Sequence, residues 1–134
     1  MSDEKRTVQR WFDCIARNDG EGMFALFADD VVYDLKGTTP VSGTYRGKQS
    51  IAEDFFIPWR RQIDGDLIVT VDELIGEGER VVALGRGRAR TVFGMPYDND
   101  YAFVFRVREG RIVEVIEFLD TALVETAAYG RKLV

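Results

Sequence analysis

The chain has 134 residues, of which 46% are hydrophobic and 31% are charged, and its formal net charge at pH 7 is -5. This balance is typical of a globular domain, and the acidic charge argues against nucleic acid as a partner, because phosphates bind to net basic surfaces. No histidine is present and Cys14 is the single cysteine, which excludes His-dependent triads, His-liganded zinc and an internal disulfide.

The sequence also lacks the signals of a membrane or secreted protein. It has no run of about 18 apolar residues that would predict a membrane span, and its charged start, MSDEKRTVQRWF, has no apolar stretch of a secretory signal. We therefore expect one domain over residues 1–134, in the cytoplasm. The acidic segments at 29–30 and 64–66 are typical of helix ends and turns, so no metal and no other cofactor is expected.

Apolar periodicity divides the chain into a largely helical first half and a strand-rich second half. In chain order the predicted elements are helices over residues 3–18 and 22–27, a strand over 31–35, a loop over 37–47, a helix over 48–63, strands over 67–75, 80–93, 99–108 and 111–120, and a final helix over 122–129. Pro58 is expected to kink or end the third helix, and Thr121 to cap the last one. This order predicts an α+β fold, with the helices on one face of a strongly curved antiparallel sheet that encloses a cone-shaped pocket.

Alternation assigns the two faces of the predicted strands. In ALGRGRART, residues 83–91, the arginines share one face, and small residues that include Gly87 and Ala89 share the other. In residues 99–108 the inner face carries Asn99, Tyr101, Phe103 and Phe105. We expect these small and aromatic faces to line the pocket, and the arginines to lie on the outer face of the sheet.

Three segments resemble a known fold: FALFADDVVYDLKG, PVSGTYRGKQSI and DYAFVFRVREGRIVEVIEFLDT. Together with the order of the elements, they resemble the NTF2-like superfamily, and within it the SnoaL-like, ketosteroid-isomerase-related proteins. The resemblance implies a cystatin-like cone with three N-terminal helices and a short C-terminal helix. The superfamily includes isomerases, polyketide cyclases, epoxide hydrolases, dehydratases and non-catalytic binding subunits, so the fold does not define the function.

Two positions of the resemblance argue against steroid isomerase activity. By this resemblance, Leu35 lies at the position of the aspartate base of ketosteroid isomerases, and Phe103 lies at the position of their acidic oxyanion donor. Both residues replace that chemistry with hydrocarbon. Epoxide hydrolases of the superfamily share an Asp–Arg–Asp arrangement, to which Arg88 could contribute only if it faced inward, against the alternation.

Glu117 and Asp120 are the candidate catalytic residues. Both faces of residues 111–120 are mixed, but the family register favours Val115, Glu117 and Leu119 as facing the cavity. Burial there raises the pKa of a Glu, which suits a general acid or base near neutral pH. Asp120 lies near the end of the sheet, and the resemblance to SnoaL-like cyclases implies an acid–base Asp near this end. The structural alternatives are a surface Glu paired with an arginine, and an Asp that caps the last helix.

The residues expected to line the substrate-binding pocket are Tyr33, Leu35, Trp59, Gly87, Ala89, Asn99, Tyr101, Phe103, Phe105, Val115 and Leu119. Of these, Tyr33, Asn99 and Tyr101 offer hydroxyl and amide groups that could position a substrate oxygen. The structural alternatives are a core aromatic residue for Tyr33 and a turn-forming role for the other two. Trp59 either closes the pocket or fills the core between the helices and the sheet.

Two functions remain open at this point. The first is a cofactor-independent enzyme of the isomerase, cyclase or hydrolase type, which acts on a small hydrophobic molecule with Glu117 or Asp120 moving the proton. The second is a non-catalytic binder of such a molecule or a dimeric scaffold. The resemblance also implies a homodimer through the outer face of the sheet, where the arginines at 86, 88, 90, 106 and 108 would meet Glu114 as a counter-charge.

Overall fold

The computed structural model describes residues 1–133; Val134, the last residue of the predicted domain, lies outside the described residues. The helices are α1 (Asp3–Ala16), α2 (Gly20–Ala25), a third helix (residues 48–60) and a C-terminal helix (residues 121–128). The strands are β1 (Phe27–Leu35), β2 (Gly43–Arg46), β3 (Ile63–Glu77), β4 (Arg80–Thr91), β5 (Pro96–Arg108) and β6 (Arg111–Leu119). Over the described residues, no helix is long and apolar enough to cross a membrane.

The six strands form one sheet in the order β2-β1-β6-β5-β4-β3. All neighbouring strands are antiparallel except β1 and β6, which run parallel. Register shifts interrupt the β1–β6, β3–β4 and β5–β6 pairings, and such bulges bend a strand and increase its twist. The predicted α+β architecture, with helices packed on a curved sheet, is confirmed.

The first helix packs on the inner face of this sheet because its apolar residues recur at helical spacing. Val8, Trp11 and Phe12 are buried there. The side chain of Ser2 caps the helix by accepting a hydrogen bond from the backbone N–H of Lys5 at 3.2 Å. Asn18 follows the helix with a φ of 55°, a left-handed conformation that asparagine tolerates better than most residues. These local signals fix where α1 begins and where the turn into α2 lies.

Pro58 does not end the third helix, which continues to Arg60. The preceding segment, Ile51–Phe56, is π-helical, and the backbone N–H of Ile57 donates to the carbonyl of Ala52, five residues back. Because this wider turn comes first, Pro58 lies in the first turn of the α-helical segment Ile57–Arg60, where its missing N–H costs little.

Several boundaries differ from the predictions. The second helix begins at Gly20 instead of Gly22, and β1 and β3 begin four residues earlier than predicted, at Phe27 and Ile63. The predicted loop over residues 37–47 contains β2, which pairs with β1. The segment GMPYD, predicted as a turn, belongs largely to β5, because pairing with β4 extends to Pro96. Strand pairing across the sheet outweighs local turn preference in these segments.

The N-cap of the C-terminal helix is Asp120 rather than Thr121. The Asp120 carboxylate accepts a hydrogen bond from the backbone N–H of Leu123 at 3.1 Å. The helix continues as a π-helical stretch, Val124–Ala128. The side-chain amide of Gln62 donates to the carbonyl of Ala128 at 2.7 Å, which holds this helix against the end of the third helix.

Candidate active site in an apolar cavity

A cavity of about 310 Å³ lies between the helices and the inner face of the sheet. Much of its wall is aromatic, with Trp11 and Phe12 from α1 and Phe55 from the third helix. The rings pack mainly edge to face: those of Phe12 and Phe103 have centroids 5.3 Å apart. The volume lies at the low end of the range for pockets that bind small molecules.

Part of the predicted site is brought together at this wall. The predicted pocket residues that line the cavity are Tyr33, Leu35, Trp59, Tyr101, Phe103 and Leu119, and they are joined by the predicted catalytic residue Glu117. The neighbour of Tyr33, Asp34, points outward and forms an ion pair with Lys36 at 2.8 Å. Alternation therefore assigned the faces of β1 correctly.

The other predicted pocket residues, Gly87, Ala89, Asn99, Phe105 and Val115, do not line the cavity. Phe105 and Val115 face inward but lie in the core, where the ring of Trp11 packs against Phe105 with centroids 5.4 Å apart. Ala89 also packs against the core. Gly87 is covered by Tyr101, whose ring atom Cε2 would lie 2.6 Å from a Cβ at this position. Inward-facing residues are thus excluded from the cavity wherever a larger side chain covers them.

Asn99 and Asp120 contact each other instead of the cavity. The Oδ1 atom of Asn99 accepts a hydrogen bond from the backbone N–H of Asp120 at 3.0 Å, and its Nδ2 donates to the Asp120 carbonyl at 3.1 Å. The carboxylate of Asp120 is exposed and caps the C-terminal helix. These contacts correspond to the structural alternative for Asp120, and they join β5 to the start of the C-terminal helix.

Glu117 projects from β6 into the cavity and is hydrogen-bonded to Tyr33. The Tyr33 hydroxyl donates to the Oε1 atom of Glu117, and no residue in 1–133 forms a hydrogen bond with Oε2. Both side chains are buried, with exposed fractions of 7% for Glu117 and 1% for Tyr33. The parallel pairing of β1 with β6 brings them together, because Leu35 lies opposite Glu117. One carboxyl oxygen is therefore held, and the other is free to contact a molecule in the cavity.

Burial raises the pKa of Glu117 from 4.5 to about 7, although the hydrogen bond from Tyr33 opposes this rise. Burial also raises the pKa of Tyr33 well above its ordinary value, and the neighbouring Glu117 adds to this effect. Tyr33 therefore stays protonated and remains a donor while Glu117 gains or loses its proton near neutral pH. A carboxyl that titrates in this range is suited to general acid or base catalysis.

A second polar group of the wall is the hydroxyl of Tyr101. It donates to the Tyr97 hydroxyl at 3.2 Å, which also accepts a hydrogen bond from Nδ2 of Asn99 at 2.9 Å. Burial raises the pKa of both phenols, so both stay protonated. Phe103 lies opposite Glu117 and Tyr101 opposite Leu119, which makes Tyr101 and Glu117 diagonal neighbours on the inner face. Tyr101 thus extends the polar part of the wall along β5, and Tyr97, which does not line the cavity, accepts its hydrogen bond.

Sequence reasoning missed Tyr97 and much of the α1 side of the cavity. Tyr97 has the same alternation as Asn99 and Tyr101, a signal that was hidden by the turn predicted over GMPYD. From α1, Cys14 and Ile15 line the cavity beside Trp11, as the helical spacing of these residues could have indicated. The depth at which α1 lies over the sheet decides which of its residues reach the cavity, and this depth is set by tertiary packing.

The rim of the cavity is formed by the turn between α1 and α2 and by the end of the third helix. Asp19 and Arg60 are the charged residues there. The Asp19 carboxylate accepts a hydrogen bond from the backbone N–H of Gly22 at 2.8 Å, and Nη1 of Arg60 donates to the carbonyl of Gly65 at 3.0 Å. The rim is therefore polar and partly exposed, whereas the interior is apolar except for the carboxyl and hydroxyl groups described above.

Proton transfer is the chemistry that this arrangement allows. Ionised Glu117 can remove a proton from a carbon atom next to a carbonyl, and protonated Glu117 can donate one to an oxygen. Tyr33 fixes the orientation of the carboxyl, and Tyr101 supplies a further polar group on the same wall. Over the described residues, no group of three or more Cys, Asp and Glu side chains is placed to hold a metal ion.

The chain is similar to known proteins in both sequence and fold. The sequence model of the SnoaL-like domain matches residues 8–115, a range that ends just before Glu117. An NTF2-like protein of unknown function from Burkholderia pseudomallei is 27% identical and superimposes with a TM-score of 0.87, over 96% of this chain and 98% of that one. Comparison with curated proteins finds no match.

Two further solved structures share the fold at lower identity. A protein with a cystatin-like fold from Xanthomonas campestris is 19% identical, with a TM-score of 0.80 over 87% of this chain and 90% of that one. TerC, co-crystallized with polyporic acid, is 20% identical, with a TM-score of 0.85 over 96% of this chain and 99% of that one. These similarities confirm the cone-shaped, cystatin-like fold that was predicted from the sequence.

Proposed function

This chain belongs to the SnoaL-like domain family of NTF2-like proteins, and on that premise we propose that it binds a small hydrophobic molecule in its cavity and acts on it by proton transfer through Glu117. The observation that carries the proposal is a buried carboxyl on an apolar wall, with one oxygen held by Tyr33 and a pKa raised to about 7. Over residues 1–133, no Lys or Arg forms an ion pair with this carboxyl. A buried carboxyl without a cationic partner costs stability, and such groups are concentrated at functional sites.

The reactions that fit are cofactor-independent isomerisation, cyclisation or hydrolysis of a carbonyl- or epoxide-bearing molecule. Glu117 moves the proton and Tyr33 positions its carboxyl. The Tyr101 hydroxyl, which donates to Tyr97 in this structure, turns its proton toward the substrate oxygen when the substrate binds. We assign the proton transfer to Glu117 rather than to Asp120, because the Asp120 carboxylate is exposed and already caps a helix. The cavity volume of about 310 Å³ limits the substrate to a small molecule.

A generic proton-transfer probe tests this proposal without knowledge of the natural substrate. 5-Nitrobenzisoxazole is a small apolar aromatic molecule: a carboxylate base removes its C3 proton, the ring N–O bond breaks, and a coloured cyanophenolate forms. We expect the protein to accelerate this reaction above the rate in buffer, with a rate that increases with pH through about 7 as Glu117 ionises. Glu117→Gln should remove the acceleration and leave the binding of neutral aromatic molecules nearly unchanged.

Glu114→Gln is the matched control for this experiment. Glu114 lies on the same strand as Glu117 but on the outer face, where it contacts Arg80 at 3.8 Å and Arg106 at 3.9 Å. The control variant should keep the wild-type rate. Acceleration that survives Glu117→Gln, or that disappears to the same extent in both variants, would contradict the role given to Glu117.

The second candidate is a non-catalytic binder of the same kind of molecule. It is favoured by the hydrocarbon side chains of Leu35 and Phe103, which line the cavity at the positions where resemblance to ketosteroid isomerases would require acids. A binder should take up neutral aromatic dyes but should not accelerate the probe reaction, with or without Glu117. Measuring dye binding and the probe reaction on the same preparation therefore separates the two candidates.

We also propose that two copies of the chain associate through the outer face of the sheet. Leu84, Ala102 and Phe118 lie side by side across β4, β5 and β6 on this face, and Leu84 and Phe118 are 38% and 46% exposed. Charged residues flank this apolar row: Arg86 forms an ion pair with Asp72 at 2.9 Å, whereas no carboxylate in residues 1–133 pairs with Arg88. An apolar centre with a charged rim is typical of a protein interface.

Sedimentation equilibrium over a wide concentration range tests this association. Phe118→Lys should shift the equilibrium to the monomer, because it places a charge in the centre of the proposed interface. Phe93→Lys is the control, since Phe93 is 54% exposed on the turn between β4 and β5, away from the apolar row. A monomer at all concentrations, or equal effects of the two substitutions, would refute the proposed dimer.

The cytoplasm remains the expected compartment. The support is chemical, because the single cysteine, Cys14, is a buried free thiol, which a reducing compartment preserves. Fractionation of cells that express the full chain tests this expectation, and recovery in a membrane or extracellular fraction would contradict it.

A further inference from the structure

Charge is distributed unequally between the rim and the interior of the cavity. In the interior, Glu117 is the ionisable group with a pKa near neutrality, and it is buried among aromatic residues. At the rim, Asp19 is half-buried and Arg60 is exposed. Arg60 is the cation among the described residues that line the cavity. An anionic group of a bound molecule therefore meets a positive charge of residues 1–133 only at the rim, where Arg60 lies.

The two rim charges differ in how far the protein already satisfies them. The Asp19 carboxylate caps α2 through the backbone N–H of Gly22 and lies 4.0 Å from the guanidinium of Arg17. Arg60 uses Nη1 to donate to the carbonyl of Gly65 at 3.0 Å, and no carboxylate in residues 1–133 forms an ion pair with it. A guanidinium has five N–H donors, so most of those of Arg60 are available to a ligand.

One hydrogen bond, to the carbonyl of the exposed Gly65, anchors the otherwise exposed guanidinium of Arg60. A planar guanidinium binds carboxylates and other oxyanions through two parallel hydrogen bonds. The protein as a whole has a net charge of -5, which repels anions at long range. Selectivity for an anionic ligand must therefore come from a local contact, and Arg60 is placed to provide it while the aromatic wall holds the apolar part of the same molecule.

We infer that the ligand of this cavity is an amphipathic monoanion, whose apolar body fills the cavity and whose carboxylate or other oxyanion group pairs with Arg60 at the rim. This inference rests on the proposed function and adds the substrate class to it. Arg60 is then a residue that determines specificity without contact with the reacting atoms, which lie beside Glu117. Neutral molecules with the same apolar body bind without this contact and bind more weakly.

Two fluorescent dyes with the same apolar body test the inference. 1-Anilinonaphthalene-8-sulfonate carries an anionic group, and N-phenyl-1-naphthylamine has the same ring system without it. Arg60→Gln should raise the Kd of the sulfonate by about three- to tenfold, a range between that of an exposed ion pair and that of a hydrogen bond to a charged group. The Kd of the neutral dye should change by less than about twofold. Arg60→Lys should restore part of the lost affinity, because it keeps the charge but not the planar donors.

Arg61→Gln is the matched control, because Arg61 is the next residue and is also exposed but does not line the cavity. It should leave both Kd values unchanged. A salt titration gives an independent measurement. Added NaCl screens the repulsion by the net negative charge in both proteins, so the contact with Arg60 is measured by their difference: NaCl should weaken the binding of the sulfonate more in the wild-type protein than in Arg60→Gln. Naphthalene-1-acetate and its neutral amide, used to displace the neutral dye, extend the comparison from sulfonate to carboxylate.

The outcomes distinguish this inference from the proposed function. If both dyes bind in the cavity but Arg60→Gln affects them equally or not at all, the amphipathic ligand is refuted and the hydrophobic cavity is not. Leu119→Trp, which fills part of the cavity, shows whether the dyes bind there. It must weaken the binding of both dyes, because adsorption on the outer face of the sheet would not respond to this substitution. If neither dye binds the wild-type protein, or if Leu119→Trp has no effect, both proposals fail.

Discussion

Replacement of Glu117 by glutamine should make the stability of the protein less dependent on pH. Burial holds the pKa of this carboxyl at about 7 in the folded state, whereas its ordinary value is 4.5. At strongly acidic pH the carboxyl is protonated in both states. As the pH rises above 4.5, the unfolded chain releases its proton first, so the free energy of unfolding falls until the pH passes about 7. At higher pH both states are ionised and the loss stays constant.

The two pKa values give the size of this effect. One pKa unit corresponds to about 1.36 kcal/mol, so ionisation of the buried carboxyl costs about 3 kcal/mol at high pH. Between about pH 5 and pH 8.5 the free energy of unfolding of the wild-type protein should fall by about 2.5 kcal/mol through this group. The remainder of the fall takes place below about pH 5. Glutamine does not ionise and its carbonyl can accept the hydrogen bond from Tyr33, so the variant should not show this loss.

Urea unfolding, followed by tryptophan fluorescence at the two pH values, measures the effect. The relevant quantity is the difference in free energy of unfolding between variant and wild type, because the titration of all other groups then cancels. This difference should move in favour of Glu117→Gln by about 2.5 kcal/mol at the higher pH, and Glu114→Gln should show no comparable change. If the difference is the same at both pH values, the raised pKa of Glu117 in the folded protein is refuted.

Other substitutions test the contacts around this carboxyl. Tyr33→Phe removes the hydrogen bond that opposes the rise in the pKa of Glu117, so the midpoint of the pH–rate profile with 5-nitrobenzisoxazole should move above 7; a midpoint that stays in place would argue against the contact. Asn99→Ala leaves the backbone N–H of Asp120 without its partner and removes one of the two hydrogen bonds that the Asp120 carbonyl accepts. It should lower the free energy of unfolding by about 1–3 kcal/mol in urea titrations, whereas a loss below about 0.5 kcal/mol would mean that the amide is dispensable. Gly87→Ala places a Cβ 2.6 Å from the ring of Tyr101, so it should lower the free energy of unfolding by about 1–3 kcal/mol. It should also alter the near-ultraviolet circular dichroism, and an unchanged spectrum would mean that the ring accommodates the methyl group.

The part of the site that the sequence predicts is the part governed by period-two alternation. Tyr33, Tyr101, Phe103 and Glu117 face inward and line the cavity, as the alternation and the family register predict. For β6 the alternation alone was ambiguous, since both faces of the strand are mixed. The resemblance to SnoaL-like proteins resolved the ambiguity, because related chains fold with the same register.

The part that the sequence does not predict depends on tertiary packing. Alternation places Phe105 and Gly87 on the inner face, but it cannot tell that Trp11 packs against Phe105 and that Tyr101 covers Gly87. The cavity begins only where the side chains of α1 leave space, and that depends on how deeply the helix lies on the sheet. The start of β5 was missed for a related reason, since the turn preference of GMPYD is local whereas its pairing with β4 is not.

The central position of β6 has a consequence for the order of events during synthesis and folding. Because β6 lies between β1 and β5, a nascent chain that has not yet reached residue 111 can form only two separate pieces of the sheet, β2-β1 and β5-β4-β3. Each piece leaves an unpaired strand edge that can pair with another chain. Tyr33 and Glu117 are 84 residues apart in the sequence, and contacts of such long range form late and slow the folding of a small domain. The same strand thus completes the sheet and brings in the carboxyl, so the candidate active site forms only after the two pieces of the sheet are joined.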